Sequence, residues 1–205
     1  MRTSTVISAA MALMSLAACT GPAVVTTDDA GPPASASPTA APPPLNSANL
    51  VNAFQFGAPV DGFTQYFFTT PSGRWECAVV PRVRAGCQAA EGAGLGIEGA
   101  PESVTDVAGE QAAPNAIVIT RDGEPAFVAL EDAPFRKDSG AAEVLRFNQI
   151  LAVAGFRCNV QEASGVSCVS ERSGRGFTFS AEGYAPQYTD VPAGAVVTPP
   201  TSTTR

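Results

Sequence analysis

The chain has 205 residues, 45% of them hydrophobic and 15% charged, which suits one domain with a sizeable core. It contains no histidine, which excludes Ser-His-Asp and Cys-His catalytic sites and removes the commonest protein ligand of zinc. The formal charge of −7 argues against a nucleic-acid partner, because such binding needs many Lys and Arg contacts to phosphate.

The first 18 residues have the pattern of a signal peptide. Arg2 supplies the positive charge, and Val6 to Leu16 is an apolar run too short to span a bilayer. The run ends in "LAAC", small residues followed by Cys19, which resembles the lipobox of bacterial lipoproteins. The sequence therefore predicts a lipidated Cys19, with an ordinary secretory signal as the alternative, and a lipid-anchored, exported protein at the outer leaflet of the cell membrane or in the cell envelope.

Composition divides the rest of the chain into three parts. Residues 19–49 are rich in Pro, Ala, Ser and Thr, contain no aromatic residue, and are predicted to be a disordered tether. Residues 50–188 are predicted to form the folded domain. Residues 189–205 repeat the chemistry of the tether and are predicted to be a disordered tail.

Most runs of the predicted domain are β-branched or aromatic and are bounded by turn residues. "PSG" at 71–73 and "RSGRG" at 172–176 are turn signals, and Asp122-Gly123 predicts a type I′ hairpin turn. Residues 91–114 read as a long Gly/Ala-rich loop, and residues 138–155 as a short helical turn followed by a strand at 145–147. The predicted strands are "FTQYFFTT", "RWECAVV", "VRAGCQA", "NAIVIT", "PAFVAL", "GFRCNV", "GVSCVS" and "FTFS".

The two C-x9-C blocks read as one hairpin used twice. In each, an aromatic residue, a cysteine and a valine alternate on one strand face, and the second cysteine lies on the returning strand. The fold class predicted is therefore mainly β: a single small antiparallel domain, barrel-like or sandwich-like, with two cystine hairpins and little helix.

Four cysteines remain after Cys19, and they allow three disulfide connectivities. We favour Cys77–Cys87 and Cys158–Cys168, because each pair is symmetric about a turn. The second turn is less regular, since a left-handed Gly165 would require a bulge or a longer loop there. Metal binding and redox catalysis are weaker alternatives, because their usual spacings are C-x₂₋₄-C and C-x-x-C.

Two stretches carry a resemblance to a known family. "FTTPSGRWECAVV" and "VLRFNQILAVAGFRCNV…GVSC…SGRGFTFSAEGY" resemble a family of small secreted or lipidated actinobacterial proteins, a domain of unknown function. The resemblance spans roughly residues 63–184, and this chain departs from it with Arg74-Trp75 where Asn-Ile is usual. It implies an exported, disulfide-bonded β domain of a mycobacterial-type envelope and no activity.

No catalytic, cofactor or metal residue is predicted. Ser72 lies in a turn, and without histidine its activation would need Lys137, which has polar neighbours. Four carboxylates that could form a hydrolytic acid–base pair are instead expected on an acidic surface: Asp122, Glu124, Glu131 and Asp132.

Six arginines lie in or beside the two hairpins and form the candidate ligand-binding set. Side-by-side packing of the hairpins would gather them into a basic patch for an anionic sugar, a phospholipid head or an acidic protein. We therefore expect a non-catalytic envelope lipoprotein that binds a protein, a glycan or another anionic ligand. The alternatives are a carrier of lipid or hydrophobic small molecules and, less favoured, a carboxylate hydrolase. The six are Arg74, Arg82, Arg84, Arg157, Arg172 and Arg175.

Overall fold

A computed structural model describes residues 44–90 and 94–197, in which strands predominate and the only helix is one 3₁₀ turn at Ala53–Phe56. In chain order the strands are β1 (Gly57–Val60), β2 (Phe63–Thr69), β3 (Trp75–Val80), β4 (Arg84–Ala89), β5 (Val104–Thr105), β6 (Gln111–Ala112), β7 (Ala116–Thr120), β8 (Ala126–Val128), β9 (Glu143–Val144), β10 (Ile150–Val153), β11 (Phe156–Gln161), β12 (Gly165–Ser170), β13 (Gly176–Ser180) and β14 (Gly183–Ala185).

The strands form two main sheets. Sheet I has the order β1-β2-β3-β4-β7-β8, with β9 pairing in parallel beside β2, and sheet II has the order β10-β11-β12-β13-β14. Every other pairing in these sheets is antiparallel. This confirms a mainly β, antiparallel, sandwich-like domain; the described strands do not close into a barrel.

Both cystine hairpins are confirmed with the favoured pairing. Cys77 is bonded to Cys87 and Cys158 to Cys168, with the α-carbons 4.0 and 4.1 Å apart. All four residues are fully buried in one core cluster, to which both sheets contribute. Alternation of side chains along each strand therefore turns the two cystine faces toward each other inside the sandwich.

The two hairpins also share their register and have turns of the same length. Of the two possibilities predicted for the second turn, a bulge or a longer loop, the longer loop is therefore wrong. Val80 pairs with Arg84 and Gln161 with Gly165, which leaves three loop residues in each hairpin. Gly165 is left-handed as expected, with φ of 81°. A β-carbon there would lie within 2.1 Å of the carbonyl oxygen of Phe179, so glycine accommodates both the backbone angle and the neighbouring strand.

Three local predictions are wrong. Neither Asp122 nor Gly123 has a positive φ, so the turn after β7 is not type I′; instead the Gly123 N–H donates to Thr120 Oγ1 at 3.1 Å and the loop is longer. Residues 138–155 contain no helical turn, and their strands are β9 and β10 rather than 145–147. The loop expected at 91–114 includes the short β5–β6 hairpin.

The outer face of sheet II is polar yet buried, because residues 186–197, here called the strap, cover it. Side-chain amides of the domain donate to main-chain carbonyls of the strap: Asn159 to Thr189 O at 3.0 Å and Asn49 to Ala195 O at 2.8 Å. Val191 of the strap is only 2% exposed.

The N-terminal residues described join this cover. The Asn46 N–H donates to Asp190 Oδ2 at 2.6 Å, and Leu50 forms a parallel bridge with Ile150. Packed chain therefore extends on both sides of the predicted domain limits at 50 and 188, while residues 1–43, 91–93 and 198–205 lie outside the described part.

Candidate functional site

One end of the sandwich collects the turns that carry the candidate site. Because neighbouring strands are antiparallel, the turns at 81–83, 121–125, 154–155 and 171–175 all lie at this end, here called the loop end. Hydrogen bonds join them: the Arg82 N–H to Ala154 O at 3.2 Å, the Glu171 N–H to Gly155 O at 3.0 Å, and Ser170 Oγ to Arg121 O at 2.6 Å. The turns therefore support one another across the two sheets.

Three arginines line an open cleft between these turns. The cleft has a volume of about 290 Å³ and is here called the arginine cleft. No carboxylate is among its lining residues. The lining residues are Arg82, Arg121, Ala154, Gly155, Phe156 and Arg172.

The three guanidinium groups differ in their partners. Arg172 Nε lies 2.6 Å from Asp122 Oδ1, in an exposed ion pair. Within residues 44–90 and 94–197, neither Arg82 nor Arg121 forms an ion pair. The cleft thus offers two positive charges that no carboxylate of the described chain neutralises, and guanidinium forks match phosphate and carboxylate oxygens.

The six predicted arginines are only partly brought together. Arg82 and Arg172 line the arginine cleft, and Arg175 lies beside it, with Nε 3.0 Å from Glu124 Oε1 and Nη1 3.4 Å from Asp122 O.

The other three predicted arginines lie outside the arginine cleft. Arg74 is at the opposite end, 4.8 Å above the Trp75 ring and bonded to Gly96 O. Arg84 covers the Phe135 ring on the outer face of sheet I at 5.3 Å. Arg157 is 8% exposed, donates to Asn46 O at 2.7 Å, and lies 3.6 Å from Glu171 without a hydrogen bond to it.

The orientation of the hairpins explains this separation. They pack face to face and run in opposite directions, so the β3–β4 turn is at the loop end and the β11–β12 turn at the other end. Arg121, which completes the cleft, was missed because it precedes a turn outside both hairpins. The β4–β7 pairing brings it next to the first hairpin, where the Arg121 N–H donates to Val83 O at 3.1 Å.

A second, apolar cleft includes in its lining Val153, the residue before the Ala154-Gly155 turn. Its volume is about 530 Å³, and Phe54, which borders it, is 91% exposed. We call it the apolar cleft; its lining residues are Ala53, Phe54, Gly57, Ala58, Pro59, Thr64, Tyr66 and Val153.

The strap holds the most perturbed titratable group of the described residues. Burial raises the pKa of the Tyr188 hydroxyl far above its ordinary value, and the nearby Asp190 carboxylate raises this pKa further, against a hydrogen bond from Asn159. The hydroxyl donates to Asp190 Oδ1 at 2.9 Å and accepts from Asn159 Nδ2 at 2.9 Å. The hydrogen bond to Asn159 holds the strap against sheet II.

The four carboxylates and the serine that the sequence analysis weighed as catalytic alternatives lie on the surface. Asp122 and Glu124 are ion-paired to arginines, as described above, and Glu131 and Asp132 border a shallow cleft of about 140 Å³ beside Arg136. Ser72 lies 3.1 Å from Thr70 Oγ1 within its turn. In the described part of the chain, no group of three or more Cys, Asp or Glu residues is placed to hold a metal ion.

The predicted lipidation site, Cys19, and the signal sequence lie outside the described residues. Among the described helices, none is long and apolar enough to cross a membrane. No protein-family model matches the chain. Neither the curated proteins nor the solved structures include a significant match to it.

Proposed function

We propose that this protein is a non-catalytic, lipid-anchored protein of the cell envelope that binds an anionic ligand in the arginine cleft. The observation that carries the proposal is that Arg82, Arg121 and Arg172 line one cleft and that two of the three have no ion-pair partner among the described residues. The protein as a whole is acidic, with a formal charge of −7. A local positive site on an acidic protein favours a specific anion over general attraction to polyanions.

Two further observations support placement in the envelope. The two disulfides are compatible with an exported protein, because such bonds persist in oxidising compartments. The "LAAC" segment supports anchoring through acyl chains on Cys19, since two or three chains give stable membrane binding where one is marginal.

The binding test uses a simple probe, inorganic pyrophosphate, followed by ¹H–¹⁵N spectra of the arginine side chains. Arg82→Gln combined with Arg121→Gln should weaken pyrophosphate binding at least tenfold, because it removes both charges that have no ion-pair partner in the described part of the chain. Arg74→Gln is the matched control: it removes one exposed arginine at the opposite end and should leave the affinity unchanged. Equal affinity in all three proteins would refute the cleft as the site.

The anchoring test is independent of ligand. In cells that express the full chain, Cys19→Ala should move the protein from the membrane fraction to the soluble exported fraction. Retention of Cys19→Ala in the membrane fraction would refute lipid anchoring while leaving the arginine cleft untested by that experiment.

The apolar cleft favours a second candidate function, carriage of a lipid or hydrophobic small molecule. Side chains of both sheets occupy the space between them as one contiguous cluster. A carrier function would therefore use the surface cleft at Phe54 rather than the interior of the sandwich.

A further inference from the structure

The arginine cleft and the apolar cleft lie side by side. Val153 lines the apolar cleft and the next residue, Ala154, lines the arginine cleft. Consecutive α-carbons are about 3.8 Å apart, so the linings of the two clefts adjoin at this point of the chain. Ala154 and Gly155 have φ of 54° and 89°, and this tight turn leaves no long loop between the clefts.

The apolar cleft has an aromatic edge that the fold does not use. In the 3₁₀ turn, Phe56 is 4% exposed and belongs to the core, whereas Phe54 is 91% exposed beside the cleft. Isolated exposed apolar residues are common on proteins. Phe54 is different because it continues an apolar lining that includes Ala58, Tyr66 and Val153.

Charge and apolar surface together define one ligand class. We infer that the two clefts form a single site for an anionic amphiphile, a molecule with a phosphate head group and one hydrocarbon chain. The inference rests on the proposed function, since the head group would occupy the arginine cleft. The chain would lie across the Ala154-Gly155 turn and along Phe54.

The charge count favours phosphate. A phosphate monoester carries about −1.5 to −2 near neutral pH. Arg82 and Arg121 supply two positive charges with no ion-pair partner in the described residues, and Arg172 adds a third guanidinium already shared with Asp122. The head group would thus be neutralised without breaking an existing ion pair.

The experiment separates head-group binding from chain binding. The full chain carrying Cys19→Ala is used, so that its own acyl groups cannot compete. Ethyl phosphate and dodecyl phosphate, which share a head group and differ in chain length, are titrated below the micellar concentration of the latter. Dodecyl phosphate should bind at least tenfold more tightly, a ratio that needs only about 55 Å² of buried apolar surface.

Matched variants locate the chain. Phe54→Ser should abolish the preference for dodecyl phosphate and leave ethyl phosphate affinity unchanged. Phe63→Ser is the control, since Phe63 is 76% exposed but does not line the apolar cleft, and it should keep the preference. Arg82→Gln with Arg121→Gln should weaken both ligands alike.

The outcomes distinguish this inference from the proposed function. Equal affinity for the two phosphates, or a preference that survives Phe54→Ser, would overturn the inference and leave an anion site standing. Failure of both phosphates to bind would overturn both. Binding to vesicles containing phosphatidic acid without binding of monomeric dodecyl phosphate would replace a single-molecule site by membrane docking, and would overturn the inference as well.

Discussion

Gly165 offers a quantitative test of the second cystine hairpin. It is left-handed, with φ of 81°, and a β-carbon on it would lie within 2.1 Å of the carbonyl oxygen of Phe179. Gly174 provides the matched comparison: its φ is 70°, and a β-carbon there would have no heavy atom within 4 Å. Alanine therefore adopts the same unfavourable backbone conformation at both positions, but only at position 165 does its β-carbon clash with a neighbouring strand.

The expected free energies follow from these differences. The left-handed backbone costs an alanine about 1–2 kcal/mol, offset by about 0.4–1 kcal/mol from a stiffer unfolded chain. Gly174→Ala should therefore destabilise the fold by about 1 kcal/mol. Gly165→Ala should cost about 2–4 kcal/mol, because moving a strand backbone out of contact adds about 1–3 kcal/mol.

Urea unfolding under non-reducing conditions measures both variants. Trp75 is the chain's single tryptophan, is 7% exposed, and lies edge-on to the Phe179 ring with 5.1 Å between centroids. Its fluorescence therefore reports on the region that the clash disturbs. Losses for the two variants that agree within about 0.5 kcal/mol would refute the close approach of β12 and β13 at Gly165.

Two further predictions concern the cystines and the strap. The double variant Cys77→Ala, Cys87→Ala and the double variant Cys158→Ala, Cys168→Ala should each lower the free energy of unfolding by about 2.7 kcal/mol in the chain-entropy model. The two losses are equal because both disulfides join cysteines with a sequence separation of 10. Because the pKa of Tyr188 is raised in the folded protein, the unfolded protein loses the Tyr188 phenol proton at a lower pH than the folded protein does. The free energy of unfolding should therefore fall as pH rises above the ordinary tyrosine pKa of 10.0. Tyr188→Phe should remove that part of the alkaline loss.

Denaturant titrations at neutral and alkaline pH check these two predictions. Losses for the two cystines that differ by more than about 1 kcal/mol would show that packing around the sulfurs outweighs loop closure. An alkaline slope that is as steep in Tyr188→Phe as in the parent would contradict the burial of the Tyr188 phenol between the strap and sheet II.

The sequence predicted the hairpins because their determinants are local. Alternation around Trp75-x-Cys77 and Phe156-x-Cys158 assigns a core face, and short loops make the antiparallel partner the adjacent strand. Gly165 was correctly expected to be left-handed. The loop length was misjudged because the sequence does not reveal that Gly165 can itself pair with Gln161.

The candidate site was less predictable because it depends on distant pairings. Arg121 reaches the arginine cleft through the pairing of β4 with β7, two strands that are separated in sequence by the loop at 91–114. The opposite directions of the hairpins separate Arg74 from Arg82, and nothing in the local sequence sets that direction. The strap was equally hidden: "VPAGAVV" reads as tail, yet its backbone carbonyls accept hydrogen bonds from side-chain amides of the N-terminal segment, from Asn46 at Val191 O and from Asn49 at Ala195 O.

The hydrogen bonds that join Asn46 and Asn49 to the strap have a mechanical consequence. A pull on the chain preceding residue 44 would load Asn46 and Leu50 first, and through Arg157 and Ile150 it would pass directly into sheet II. In sheet II the Cys158–Cys168 disulfide closes a loop of nine residues. Those residues, about 30 Å of chain when extended, cannot be stretched while the disulfide is intact. The Cys158–Cys168 hairpin would thus limit how far sheet II could extend under such a load.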